Sequence, residues 1–97
     1  MNIDTDISEK LEKELIRITK KESPLDAIKE LVRRELIRKK NIYIFMIRNF
    51  EKKYRVTFEE FEKQYKSKMS NEVEKDYFDW DMAKTALEDI EEELKEI

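Results

Sequence analysis

Hydrophobic side chains recur at intervals of three and four along most of the chain, which is the period of an amphipathic helix. Asp6 or Ser8 can cap the first such series. The lysines at positions 20–21 suit a helix C-terminus, where cations are favoured. We therefore predict frayed residues at 1–5 and a first helix that ends near 20–21. Its apolar face consists of Ile7, Leu11, Leu15 and Ile18.

A second helix is predicted to begin at Pro24. Ser23 can cap this helix, and Pro24 fits the first helical position, where a missing N–H costs nothing. No helix breaker follows until about Arg55, so the helix would be on the order of 48 Å long at 1.5 Å per residue. Because a globule of this size is narrower than that, we expect the helix to protrude, bend or pair with a second chain.

Residues 42–47 (IYIFMI) form an uninterrupted apolar run in the middle of this segment. Such a run is either a helix segment that is buried on all sides or a strand. The β-branched and aromatic content permits a strand. We prefer the helix, because no turn residue separates the run from its flanks.

The clearest local signal in the chain predicts a short third helix. Thr57 and Glu60 have the spacing of a capping box, and Val56 and Phe61 have the spacing of a hydrophobic staple. The helix should therefore begin at residue 58, and we expect it to stop around residues 69–71.

The last helix is predicted to begin between Asn71 and Asp76. Its apolar residues form a seven-residue repeat over about two and a half heptads, enough to pack along another helix. The members of this repeat are Trp80, Ala83, Leu87, Ile90, Leu94 and Ile97.

Composition favours an all-α fold. The chain has 97 residues, no glycine and one proline, and glycine usually supplies the positive φ angles that β-turns need. We predict one domain of three or four helices, an elongated helical hairpin or bundle with a long second helix, and a dimer. Three parts differ in charge: residues 1–55 are net basic, residues 56–71 hold the capped short helix, and residues 72–97 are the acidic aromatic C-terminal helix.

Most enzyme chemistry has no support in the sequence. Without cysteine or histidine there is no thiol nucleophile, disulfide, zinc site or imidazole base. We therefore predict no enzyme, no cofactor and no metal. No apolar run approaches the roughly 20 residues of a membrane span, and the acidic start differs from a signal peptide, so we expect a cytoplasmic protein. Heavy use of lysine and glutamate without cysteine is similar to the composition of proteins from very hot habitats.

The C-terminal part combines strong negative charge with aromatic residues. From residue 72 onward, eleven acidic residues against three lysines give a net charge of −8, and the other residues carry +5. Phe78 and Trp80 lie about 200° apart on a helix, so they cannot both face one core. Large aromatics ringed by charge are typical of a binding hot spot, although core packing is their more common role. The predicted partner-binding residues are Tyr77, Phe78, Trp80, Met82, Asp76, Asp79 and Asp81.

The same three aspartates permit a magnesium site as an alternative. Asp76 and Asp79 would share one side of a helix, but Asp81 points elsewhere. Magnesium sites usually also use substrate phosphates, and nothing in this sequence would hold a nucleotide. A simpler interpretation is that these carboxylates lie in the first turn of a helix, where the helix dipole stabilises negative charge.

A basic segment of the second helix offers a possible contact with nucleic-acid phosphates. Glu30 precedes Arg34 by four residues and Glu35 precedes Lys39 by four, so local ion pairs account for part of this charge. The net charge of −3 also works against nucleic-acid binding. We call this segment the basic belt; it contains Arg33, Arg34, Arg38, Lys39 and Lys40.

Three segments resemble small archaeal and bacterial antitoxins, the upstream partners in two-gene toxin–antitoxin pairs. They are residues 31–40 (LVRRELIRKK), residues 51–62 with EKKY and TFEEFE, and residues 72–81 (EVEKDYFDWD). The resemblance implies a helical, non-catalytic protein that binds and silences a small toxin, often a ribonuclease-like and therefore basic one. The N-terminal strand of ribbon-helix-helix proteins, which binds operator DNA, has no clear counterpart here.

Two alternatives remain open beside the antitoxin-like role. The chain could be a structural helical homodimer or scaffold without a toxin, or a DNA- or RNA-binding regulator that uses the basic belt. For the antitoxin-like role we expect a small basic protein as partner, and a homodimer when the chain is alone.

Overall fold

The computed structural model describes residues 3–97, with side chains from Ile7 onward, and contains no strand within that range. Four helices follow one another: α1 (Ile3–Thr19), α2 (Pro24–Tyr54), α3 (Phe58–Tyr65) and α4 (Asn71–Glu96). The predicted all-α fold with a long second helix is therefore confirmed.

Side-chain caps fix where three of the helices begin. The hydroxyls of Ser23, Thr57 and Ser70 each accept a hydrogen bond from the backbone N–H three residues later, at 3.2, 3.2 and 3.3 Å. Each bond satisfies one of the amide groups that the first turn of a helix leaves without a partner. The predicted starts of α2 and α3 are confirmed, and Ser70 starts α4 at the early end of the predicted window. At its other end, α2 stops at Arg55, which adopts a left-handed conformation with φ 58°.

Two predicted helix boundaries are wrong. Helix α1 already includes residue 3, so neither Asp6 nor Ser8 is its cap; of the residues expected to fray, 1–2 lie outside the described part. Helix α3 ends at Tyr65 rather than at 69–71, because a turn bond from the N–H of Lys68 to the Tyr65 carbonyl (3.2 Å) closes it. The next three residues, 66–68 (KSK), are polar and offer no apolar face to bury.

Helix α4 packs antiparallel along the C-terminal part of α2. Near one end, the ring of Phe50 stacks on Trp80 with 5.5 Å between centroids. At the other end, the guanidinium of Arg33 donates to the backbone oxygen of Ile97 at 3.3 Å. Helix α1 folds back on the N-terminal part of α2, where Ala27 is fully buried. The molecule measures 66 × 24 × 19 Å, which confirms the predicted elongated shape.

The apolar run at residues 42–47 is part of the continuous helix α2, as predicted. Burial on all sides is wrong, however, since Ile42 and Phe45 are 44% and 66% exposed. One face of this part of α2 packs toward α4, and the described chain supplies nothing to cover the others.

An aromatic cluster at one end of the molecule joins α2, α3 and α4. Trp80 is 1% exposed, and its ring lies 5.4 Å from Phe58 and 5.0 Å from Phe61 between centroids. These distances are within the favourable range for aromatic pairs. The indole N–H of Trp80 has no acceptor among the described residues, so its contribution comes from packing. Partly buried residues around the cluster are Ile47, Phe50, Tyr54, Val56, Tyr65, Val73 and Tyr77.

Replacing the central ring should destabilise the whole fold. We expect Trp80→Ala to lower the free energy of unfolding by about 3–5 kcal/mol, as for other fully buried aromatic residues. The exposed Phe45 provides the control, and Phe45→Ala should change the free energy of unfolding by less than about 0.5 kcal/mol. Urea unfolding followed by far-ultraviolet circular dichroism measures both. Equal losses in the two variants would contradict the assignment of Trp80 as the centre of the core.

Candidate functional site

Helix α4 turns two of its aromatic residues, Phe78 and Trp80, in different directions. Trp80 is buried, whereas Phe78 is 59% exposed, in agreement with their predicted separation of about 200° around the helix. Met82 follows Phe78 by one turn on the same side and is 46% exposed. Phe78 and Met82 therefore form an exposed apolar pair, while Trp80 is not accessible to a partner.

Acidic residues surround this apolar pair. At 100° per residue, six exposed acids lie within about 60° of the direction of Phe78, and Lys75 is the one base in the same sector of α4. Asp79 is half-buried at the edge of this sector. We call Phe78, Met82 and these acids the outer face of α4; the acids are Glu74, Asp81, Asp89, Glu92, Glu93 and Glu96.

Tyr77 connects the outer face to the core. Its ring packs on Phe58 at 5.5 Å and meets the edge of Phe78 at 5.6 Å. Its hydroxyl donates to the carboxylate of Glu62 at 2.7 Å, and this hydrogen bond raises the pKa of Tyr77. Tyr77 is thus half-buried and engaged with α3, and it positions Phe78 more than it offers a free surface.

Asp76 has a structural role in the same segment. Its carboxylate accepts hydrogen bonds from Lys53 Nζ at 2.6 Å and from the hydroxyl of Tyr54, while Lys53 also contacts Glu72 at 2.8 Å. Burial alone would raise the pKa of Asp76, but the bonds from Lys53 and Tyr54 outweigh it and lower the pKa. Asp76 therefore ties α4 to α2 and is not free for a partner.

These hydrogen bonds also shift the pKa values of their partners on α2, Lys53 and Tyr54. The pKa of Lys53 is raised by its hydrogen bonds to Asp76 and Glu72. Burial, followed by the bond to Asp76, raises the pKa of Tyr54 to about 12. Of the seven predicted partner-binding residues, the structure therefore leaves Phe78, Met82, Asp79 and Asp81 in positions that a partner can reach.

Contacts within the chain already engage much of the basic belt. Arg34 and Arg38 pair with glutamates of the same helix, Glu30 and Glu35, at 3.2 and 2.6 Å. Arg33 donates to the backbone oxygen of Ile97, which directly follows α4. Lys39 is exposed and Lys40 half-buried, and neither forms a salt bridge within the described residues. The belt thus offers fewer free cations than its sequence suggests.

A cleft of about 320 Å³ lies where α2, α3 and α4 meet. The ammonium of Lys84 lies 2.7 Å from the Glu59 carboxylate and 4.8 Å from the ring centroid of Phe58. Sequence reasoning missed this site, because its residues come from three helices and share no local motif. Its apolar residues are Ile47, Phe58, Trp80 and Leu87, and its polar ones are Glu51, Thr57, Glu59, Lys84, Glu88 and Glu91.

Comparison with known proteins does not assign the chain to a family. No family model, curated protein or solved structure matches the chain, so the resemblance to antitoxins rests on the residues quoted for it. Within residues 3–97, no helix has both the length and the apolar character to cross a membrane. The same part of the chain contains no group of three or more acidic residues placed to hold a metal ion.

The Asp76 contacts predict opposite effects at the two ends of the pH scale. The pKa of Asp76 is lowered on folding, so its stabilisation is complete above the unfolded value of about 3.9 and is lost as the pH falls through the folded value. The pKa of Tyr54 is raised from 10.0 to about 12, so its contribution is complete below pH 10 and is lost as the pH rises toward 12. Urea unfolding at a series of pH values measures both losses.

Variants separate these contacts from general charge effects. Asp76→Asn should lower the free energy of unfolding at pH 7 by about 1–2 kcal/mol and reduce its decline in acid. Tyr54→Phe should reduce the decline at alkaline pH. Asp89→Asn is the matched control, since Asp89 is an exposed acid of the same helix. If Asp89→Asn had the same effect as Asp76→Asn, net charge rather than this network would govern the pH dependence.

Proposed function

We propose that the protein is a non-catalytic, antitoxin-like binding module of the cytoplasm that neutralises a small basic protein through the outer face of α4. The observation that carries this proposal is the position of Phe78. A large aromatic ring that is 59% exposed and surrounded by acidic residues contributes little to the fold, yet it has the character of a binding anchor.

Charge supports a basic partner. The segment from residue 72 onward has a net charge of −8, and a surface of one sign speeds encounter with a partner of the other sign. Toxins that act on RNA need basic groups to hold phosphates. An acidic helix with an apolar anchor is suited to occupy such a basic surface in place of RNA.

Two alternatives predict different observations. A scaffold without a toxin would bind no small basic protein and would have no toxin gene beside its own. A nucleic-acid-binding regulator would bind DNA or RNA with a steep dependence on salt. The ion pairs of Arg34 and Arg38 favour the protein-binding role over the nucleic-acid-binding one.

The central test is a comparison of two exposed phenylalanines. The tagged protein is isolated from its source cells, the bound protein is identified, and binding of that protein is then measured with purified components. Phe78→Ala should weaken the affinity by about 2 kcal/mol or more, as for a central aromatic anchor. Phe45→Ala removes an equally large exposed ring from α2 and should leave the affinity unchanged.

The outcome is interpretable only if both variants fold. Unfolding midpoints near that of the unchanged protein would establish this, because both rings are largely exposed. A second readout is growth of cells that produce the captured protein, which the unchanged chain should restore and the Phe78→Ala variant should not. If Phe78→Ala binds and restores growth normally, or if the captured protein is acidic, the proposal is wrong.

We also infer that two copies of the chain associate when the partner is missing. One apolar stripe of α2 continues past the end of α4: its member Leu36 is 9% exposed, whereas Leu25, Ile28 and Val32 are 62%, 48% and 43% exposed. Residues 7–32 contain six acidic and six basic residues. This end of the molecule can therefore approach a second copy without net repulsion, unlike the acidic face of α4.

Disrupting this stripe should produce a monomer. Analytical ultracentrifugation at tens of micromolar, roughly where modest interfaces associate, should show a dimer for the unchanged chain and a monomer for Val32→Glu. Phe45→Glu is the control and should remain dimeric, since Phe45 lies on another side of α2. A monomeric unchanged chain would refute the association, and a monomer formed only by Phe45→Glu would move the interface to residues 42–47.

A further inference from the structure

We propose that the cleft between α2, α3 and α4 is a receptor for a lysine or arginine side chain of the basic partner. The identity of the partner rests on the function proposed above, but the affinity of the cleft for an alkylammonium group does not. The cleft is separate from the Phe78–Met82 pair and uses a different side of α4.

The walls of the cleft suit the aliphatic part of such a side chain. Ile47 and Leu87 contribute apolar surface from two helices, Phe58 contributes an aromatic ring from the first turn of α3, and the buried ring of Trp80 borders the cleft. Lysine and arginine bury their methylene groups along apolar surface while the charged end stays near water or a carboxylate. A volume of about 320 Å³ is ample for one side chain of this kind.

The rim suits the charged end. Four carboxylates line the cleft against one ammonium group, that of Lys84. Lys84 forms a salt bridge with Glu59, so three carboxylates remain without a cation among the described residues. These three come from α2 and α4, and they are Glu51, Glu88 and Glu91.

Lys84 also demonstrates the chemistry that the site favours. Its ammonium lies over the Phe58 ring at 4.8 Å while contacting the Glu59 carboxylate at 2.7 Å. A cation over an aromatic face is attracted by the electrons of the ring. The cleft therefore already holds one alkylammonium of its own chain beside a carboxylate and a ring, and the remaining carboxylates provide for a second.

The cleft is placed to act together with the outer face. At 100° per residue, Asp81 lies between Phe78 and Glu88 on the circumference of α4, and Glu88 lines the cleft. A basic protein docked on the outer face can therefore extend one long side chain around the helix into the cleft. Phe78 would anchor the partner, and the cleft would select a cation at one fixed position.

Hexylammonium ion is a suitable probe, with 1-hexanol as the uncharged comparison. Trp80 is the only tryptophan in the chain and lines the cleft, so its indole N–H signal in a ¹⁵N–¹H nuclear magnetic resonance spectrum reports occupancy. We expect hexylammonium to shift this signal with a Kd in the millimolar range, and hexanol to bind at least fivefold more weakly. No shift with hexylammonium, or equal affinity for hexanol, would overturn the proposal.

Matched variants distinguish the cleft from the general acidity of α4. Glu88→Gln with Glu91→Gln should weaken hexylammonium binding at least fivefold. Glu92→Gln with Glu93→Gln removes the same charge from exposed positions outside the cleft and should change the affinity for hexylammonium less than twofold. If the two double variants weakened hexylammonium binding equally, the cation would be attracted only by the general negative charge of α4, and the proposal would be overturned. All four positions are exposed, so circular dichroism should show unchanged helix content.

A further variant tests the role of Lys84 in the opposite direction. Lys84→Met removes the internal ammonium and releases Glu59, so hexylammonium should bind several-fold more tightly, whereas unchanged or weaker binding would contradict the site. Failure of the probe to bind would leave the Phe78→Ala test of the proposed function unaffected. Conversely, a partner whose binding does not depend on Phe78 would leave the measured affinity of the cleft for the ammonium ion in place.

Discussion

The packing of the Trp80 ring against α2 and α3 is the interaction on which the rest of this structure depends. Phe50 comes from α2, Phe58 and Phe61 from α3, and all three rings lie within 5.5 Å of Trp80 between centroids. Once Trp80 points inward, helix geometry requires Phe78, two residues earlier, to point away. The exposure of Phe78 is thus a direct consequence of the burial of Trp80, and under the proposed function these two residues would serve recognition and folding separately.

Acidic residues of the C-terminal segment divide in the same way. Asp76 faces α2, where Lys53 and Tyr54 hold its carboxylate, so it contributes to the attachment of α4. Asp81 and Asp89 face solvent and give the outer face its charge. A count of acids along the sequence combines both groups. Only the contacts separate the carboxylates that hold the helix pair together from those that a basic partner would meet.

Local chemistry explains which features the sequence could predict. The start of α3 is fixed by a hydrogen bond between residues only three positions apart, from the N–H of Glu60 to the hydroxyl of Thr57. The opposite directions of Phe78 and Trp80 follow from the helix period alone. The end of α3 depends instead on a turn at Lys68. The exposure of Phe45 depends on how much of α2 the other helices cover. The cleft was beyond prediction for the same reason, since Glu51, Glu59 and Glu88 approach only after three helices have packed.

An exposed aromatic residue on a small helical protein carries a risk, because apolar surface also favours association between identical molecules. The carboxylates around Phe78 oppose this, since two acidic faces repel one another. The same charge attracts a basic surface, which neutralises the carboxylates and leaves the ring free to bind. Under the proposed function, the acids around Phe78 would limit its partners to basic surfaces, while the ring would supply the affinity. Selectivity at the outer face would thus come from electrostatics, and the cleft would add a fixed position for one cation of the partner.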